Sequence, residues 1–121
     1  MWIWFNLEPQ RLPSSVSRAF EAGDLAFGIS TVTVWETMTA MEKGRVATAA
    51  SPESTLRTWL RGSPFQMIPV NEEIAILSRT LPFQHDDPAD RFIAATAYHL
   101  NCHLATVDDR LRRLPWLKLF V

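Results

Sequence analysis

His85-Asp86-Asp87-Pro88-Ala89-Asp90-Arg91-Phe92-Ile93-Ala94-Ala95-Thr96-Ala97-Tyr98-His99-Leu100-Asn101-Cys102-His103-Leu104-Ala105-Thr106-Val107-Asp108-Asp109 is the stretch on which the fold turns. It reads as a helix followed by a strand, with a carboxylate at one end of each. Asp87 is a good helix N-cap and Pro88 a good first helical residue, so the helix starts there. Ile93, Ala94, Ala97 and Leu100 fall at the spacing of one apolar stripe, and Asp90 sits one turn before it, on the same buried face. Cys102 to Val107 reads as a buried strand with Asp108 and Asp109 at its C-terminal end. Ligands of open α/β sheets bind outside the carboxyl ends of the strands. A helix start and a strand end can therefore bring Asp90 and Asp108 together. Ordinary chemistry also explains each acid alone: the helix dipole favours a carboxylate in a first turn, and Asp-Asp is common after a strand.

Outward from this segment, strand and helix signals alternate. Leu12, Pro13, Ser14 and Ser15 lead into a helix ending near Ala22, and Gly23-Asp24 is a stop and turn signal. Leu25 to Ile29 reads as a short strand. Ser30 caps a helix from Thr31 to about Lys43, in which Glu36 is an acid at mid-helix among apolar and hydroxyl residues. The dipole gives no support there, so Glu36 needs solvent or a partner. Ser51-Pro52 opens a helix to about Arg61. Gln66 to Val70 is a second short strand, limited by Pro69. Asn71 caps a helix to Leu81. Leu111 to Leu114 reads as a turn of helix and Trp116 to Val121 as a last strand. The alternation argues for an α/β fold with a short, mainly parallel sheet flanked by helices. Residues 1–121 are expected to form a single domain.

The totals narrow the function. Net charge is −1, which gives no global electrostatic case for nucleic acid. The cations are nonetheless uneven: Arg110, Arg112, Arg113 and Lys118 share a short acid-free stretch directly after Asp109, as a basic rim beside an acidic pocket or as a solvated loop. One cysteine excludes an intramolecular disulfide and points to a reducing compartment. No run approaches the roughly 20 apolar residues of a membrane span, and Met1-Trp2-Ile3-Trp4-Phe5 is too short for a signal peptide, so a cytoplasmic protein without membrane contact is expected.

Asp87-Pro88-Ala89-Asp90-Arg91-Phe92-Ile93-Ala94-Ala95-Thr96-Ala97 resembles the PIN-domain nucleases, specifically the VapC-type toxins of toxin–antitoxin pairs. Leu81-Pro82 and His85 fit the usual lead-in. Ser30-Thr31-Val32-Thr33-Val34-Trp35-Glu36 with Gly44-Arg45-Val46 looks like the second acidic motif, Met67-Ile68-Pro69-Val70 like the strand before the next helix, and Leu104-Ala105-Thr106-Val107-Asp108 like the Thr-x-Asp motif. The likeness runs from about Leu12 to Val121.

The resemblance implies a PIN-like three-layer sandwich and a Mg²⁺- or Mn²⁺-dependent endoribonuclease toxin. Glu36, Asp90 and Asp108 are then the metal-site and catalytic acids, since hard divalent cations prefer oxygen ligands. Thr106 matches a supporting hydroxyl, Asp109 is a neighbour, and Arg91 is expected to form a structural pair. Arg110, Arg112 and Arg113 are candidate RNA contacts. A cognate antitoxin, an RNA substrate and a homodimer are the implied partners. Family members open with a strand ending in a further site Asp. Here Trp2-Ile3-Trp4 looks like the helix that follows it. The preferred expectation is a strand encoded upstream of Met1; the alternatives are that Met1 to Phe5 forms the strand with Asn6 in the acid's place, or that the member is inactive. A non-cleaving PIN-like module that binds antitoxin or RNA is the second functional reading. A phosphoacceptor receiver domain also places an acidic pocket on an α/β sheet, but its acids and basic residue do not occur here in the expected order.

Overall fold

The computed structural model describes residues 1–120. Helix α1 spans Trp2–Leu7, and a single 3₁₀ turn, Pro9–Arg11, leads to α2, Ser14–Ala22. Strand β1 is Gly28–Ser30 and α3 is Thr31–Glu42. Helix α4, Pro52–Arg61, precedes β2, Gln66–Ile68. Helices α5, Glu72–Thr80, α6, Pro88–His99, and α7, Asp109–Arg112, complete the α/β arrangement.

The helix starts follow directly from side-chain capping. Ser30 Oγ accepts from the Val32 N–H at 3.1 Å, Asn71 Oδ1 from Ile74 at 2.8 Å and Asp87 Oδ1 from Asp90 at 3.2 Å. Ser51 Oγ caps α4 through the Ser54 N–H, and Pro52 and Pro88 occupy first-turn positions where no donor is lost. Ser30 thus ends a strand and begins a helix, which fixes the direction in which α3 leaves the sheet.

β1 and β2 pair in parallel, with Gly28 opposite Gln66, Ile29 opposite Met67 and Ser30 opposite Ile68. A Cβ at residue 28 would collide with the Ile68 side chain, so glycine permits this close approach. A second parallel contact joins Leu104 to Leu119, through Leu104 N–H to the Lys118 carbonyl at 2.8 Å and Phe120 N–H to the Leu104 carbonyl at 2.9 Å. The sheet is therefore shorter than the sequence pattern predicts. Cys102 to Val107 is not a buried strand: only Leu104 bridges, and both Cys102 and Val107 are exposed. The predicted last strand likewise reduces to this bridge, and its end, Val121, lies outside the described residues.

Two apolar clusters hold the molecule. One gathers Trp2, Ile29, Met41 and Leu56, with Trp2 meeting Trp59 edge-on at 5.6 Å. Phe5, Phe20, Phe27 and Phe65 pack in a connected aromatic group alongside, Phe20 stacking on Phe27 at 4.2 Å. Of the apolar first residues, Trp2 is thus core and Phe5 packs half-buried beside it. They form a helix and not a strand, because Trp2 and Phe5 meet these partners from one side of α1. The second cluster contains Ala94, Ala97, Leu111, Leu114 and Leu117. Ala94 and Ala97 lie on the face predicted for α6, whereas Leu100, assigned to the same stripe, is exposed because the helix ends at His99.

Arg91 joins α5, α6 and the loop between them. Its Nη1 donates to the Ser78 carbonyl at 3.0 Å and its Nε to the His85 carbonyl at 3.2 Å, while the guanidinium lies 4.7 Å from the Phe83 ring centroid. The companion ion pair with exposed Asp86 adds little. Replacing Arg91 by Ala strands two carbonyls and removes the stacking, so Arg91→Ala is expected to destabilise the fold by about 2 kcal/mol, measured as a lowered urea midpoint with unchanged slope. Full stability in that variant would contradict the clamp.

Candidate active site

Three acids approach one cavity of about 870 Å³ from three segments: Glu36 on α3, Asp90 on α6 and Asp108 just before α7. The same cavity is bounded by Gly28 to Ser30 on one side and by Leu104 to Thr106 on the other. It therefore lies between the β1–β2 pair and the Leu104–Leu119 bridge, and the three acids form part of its wall.

Asp90 is buried in the first turn of α6. His85 Nε2 lies 3.0 Å from Asp90 Oδ2, and Arg110 Nη2 donates to the same oxygen at 3.1 Å. Arg110 also reaches Asp108 Oδ2 at 3.2 Å and approaches Asp87 Oδ2 at 3.9 Å. One guanidinium thus stands among three carboxylates. Asp108 caps α7 through the Arg110 N–H at 2.8 Å, and its own N–H donates to Thr106 Oγ1 at 3.1 Å. The Thr-x-Asp spacing makes that turn possible: the hydroxyl two residues upstream fixes the backbone that aims the carboxylate.

Electrostatics divide the three acids. Glu36 is pushed up from its ordinary 4.5 to about 7, first by burial, then by the charges of Asp90, Asp87 and Asp108, with a partial offset from the N-terminal ammonium. Burial also raises Asp90, which the His85 hydrogen bond and the Arg110 charge partly counter. Asp108 is held below the usual carboxylate range, mainly by its hydrogen bond to the Arg110 side chain. Asp108, which accepts from both the side chain and the backbone of Arg110, therefore stays ionised, and Glu36, which Arg110 does not touch, is pushed to about 7.

Other residues singled out from the sequence lie elsewhere. Asn6 does not stand in for a carboxylate: it sits on a helix, its Nδ2 donates to the Trp2 carbonyl at 2.8 Å, and it is not part of the cavity wall. Asp109 is exposed in the first turn of α7 and is not part of the wall either. Arg112 and Arg113 are exposed, as a rim requires. Arg110 is not a free rim cation, because the cap at Asp108 folds it back over the acids. His85 and Asp87 were missed as parts of the acid cluster. The Pro88 break hides the five-residue step from His85 to Asp90 from any helical periodicity, and Asp87 was explained entirely by its cap.

The PIN domain family pattern matches residues 1–117. The chain belongs to the PIN domain family. It is 30% identical over 112 residues to ribonuclease VapC22 of Mycobacterium tuberculosis, covering 90% of this chain and 82% of that protein. Its fold matches a chain of VapBC2 from Rickettsia felis, solved bound to a DNA fragment from their promoter, with a TM-score of 0.72 at 17% identity, across 98% of this chain and 91% of that one. No helix among the described residues is long and apolar enough to cross a membrane.

The raised carboxyl of Glu36 makes stability depend on pH. Between 4.5 and about 7 the unfolded chain ionises this group while the folded chain keeps its proton. The contribution is therefore most favourable below that window and is lost as pH rises through it. In metal-free protein, the difference in unfolding free energy between wild type and Glu36→Gln is expected to move against wild type from pH 4.5 to 7 and to level off above. A pH-independent difference would contradict the coupling.

Proposed function

We propose that this PIN domain is a divalent-metal-dependent endoribonuclease, the toxin of a toxin–antitoxin pair, that hydrolyses RNA phosphodiester bonds. The observation that carries this reading is the convergence of Glu36, Asp90 and Asp108 on one cavity, with their charges coupled. The relative named as a ribonuclease supports the reaction class, and the VapBC2 assembly supports a protein partner that acts as antitoxin. A homodimer is the expected assembly.

The donor chemistry suits Mg²⁺ or Mn²⁺. Carboxylate oxygens are hard ligands, and buried acids that repel one another, as Glu36 and Asp90 do, gain from an added positive charge. Asp90, Asp108 and Glu36 would hold the ion, which when bound activates water and neutralises charge on the phosphate. The chain's own contributions are distinct. Asp87 and Thr106 fix the backbone positions of Asp90 and Asp108 through the two turns that bear them. His85 orients the Asp90 carboxylate through the same Oδ2 that Arg110 contacts. Arg112 and Arg113 supply cations beside the acidic pocket, where a polyanion must approach.

One observation favours a second reading, a PIN module that binds RNA or antitoxin without cutting. Among the described residues, no three acidic, histidine or cysteine groups stand close enough to hold one ion as the side chains are placed. Cleavage assays separate the two. Purified protein with Mn²⁺ or Mg²⁺ is expected to cleave RNA, chelator to abolish cleavage, and Asp90→Asn to reduce it by at least about a hundredfold, the scale of losing an electrostatic group at a reacting centre. Equal cleavage by wild type and Asp90→Asn would mark the activity as contamination. Metal-independent RNA binding without cleavage would establish the second reading.

A further inference from the structure

We propose that Arg110 is a competitor built into the cation site, and that it sets the affinity of the acids for a divalent ion. The inference rests on the metal reading above and adds a determinant to it. Three contacts carry it. The Arg110 guanidinium lies 3.1 Å from Asp90 Oδ2, 3.2 Å from Asp108 Oδ2 and 3.9 Å from Asp87 Oδ2. Two of these carboxylates are proposed ligands. An ion held by Asp90 and Asp108 would draw on the two carboxylates that Arg110 already contacts, so metal and guanidinium compete for the same negative charge.

The anchoring of Arg110 permits exchange. Its main chain is fixed, because its N–H donates to Asp108 Oδ1 at 2.8 Å and α7 begins there. Its side chain is not: it is 53% exposed on a flexible stem. Displacement breaks charge-assisted hydrogen bonds without unfolding α7, and solvent receives the released cation. His85 differs, with a largely buried side chain that keeps its place beside Asp90 whichever cation is present.

The substitution Arg110→Ala isolates the effect, since alanine retains the backbone donor that Asp108 caps. Arg113→Ala removes an equal charge three residues away and controls for the general field. Mn²⁺ binding to the full-length proteins, followed by electron paramagnetic resonance and calorimetry without RNA, is the measurement. Arg110→Ala is expected to bind Mn²⁺ about tenfold more tightly than wild type, or about 1.4 kcal/mol, and Arg113→Ala to bind within twofold of wild type. Thermal unfolding adds a second readout: Arg110→Ala should melt below wild type in chelator and regain the difference with saturating Mn²⁺. Unchanged or weaker Mn²⁺ affinity in Arg110→Ala overturns the competitor role while leaving the metal site standing. Equal tightening by both substitutions overturns it in favour of a diffuse charge effect. No Mn²⁺ binding by any of the three overturns the metal reading itself, and this inference with it.

Discussion

A carboxylate buried in the first turn of α6 is the constraint on which the site is built. Asp90 is 8% exposed, and a charged group so placed is costly unless donors meet it. The helix dipole contributes on one side. His85 and Arg110 contribute on the other, from a loop before α6 and a helix after the Leu104 segment. Each donor must itself be held. Arg91, one residue beyond Asp90, grips the His85 carbonyl and the buried turn at Ser78. Asp108 caps the helix that bears Arg110. Adjacent residues on α6 thus perform opposite tasks: Asp90 faces the cavity, and Arg91 fastens the loop that supplies a partner for Asp90.

The division of the sheet gives this cluster its setting. Paired backbone ends at β1–β2 on one side and at the Leu104–Leu119 bridge on the other, and the cavity lies between them. Its wall is largely apolar, from residues such as Phe5, Phe20 and Phe27, until it reaches the acids. Charges at the polar end are poorly screened by such surroundings, so Glu36 responds to Asp90, Asp87 and Asp108 together. Packing and electrostatics are linked here: the same aromatic cluster that secures α1 lowers the local polarity beside the site.

Much of this was legible in the chain. Cap-proline pairs at Ser51-Pro52 and Asp87-Pro88 located the starts of two helices to the residue, because capping is a local interaction between neighbours. Glu36, Asp90 and Asp108 were grouped through ordered motifs, and all three line one cavity. Strands were less legible. Cys102 to Val107 has the composition of a buried strand, but a strand exists through its neighbours, and only Leu104 has one. The partners of Asp90 were hidden for a related reason. His85 and Arg110 are separated from it by a break and by twenty residues, and no period connects them.

Arg110 shows why a cation's sign alone does not assign its role. Grouped with Arg112, Arg113 and Lys118 it belongs to a basic rim facing a polyanion. Considered with Asp108, two residues earlier, it belongs to a cap whose geometry turns the side chain inward. The second account prevails because the contact is short-range and charge-assisted, whereas rim attraction acts through solvent. One guanidinium, however, cannot balance four carboxylates. It contacts Asp90 and Asp108, approaches Asp87 and leaves Glu36 without a salt bridge. Burial first, and then the repulsion that Arg110 leaves uncompensated, drive the Glu36 carboxyl to about 7. That imbalance is what a doubly charged ion would relieve and a single arginine does not.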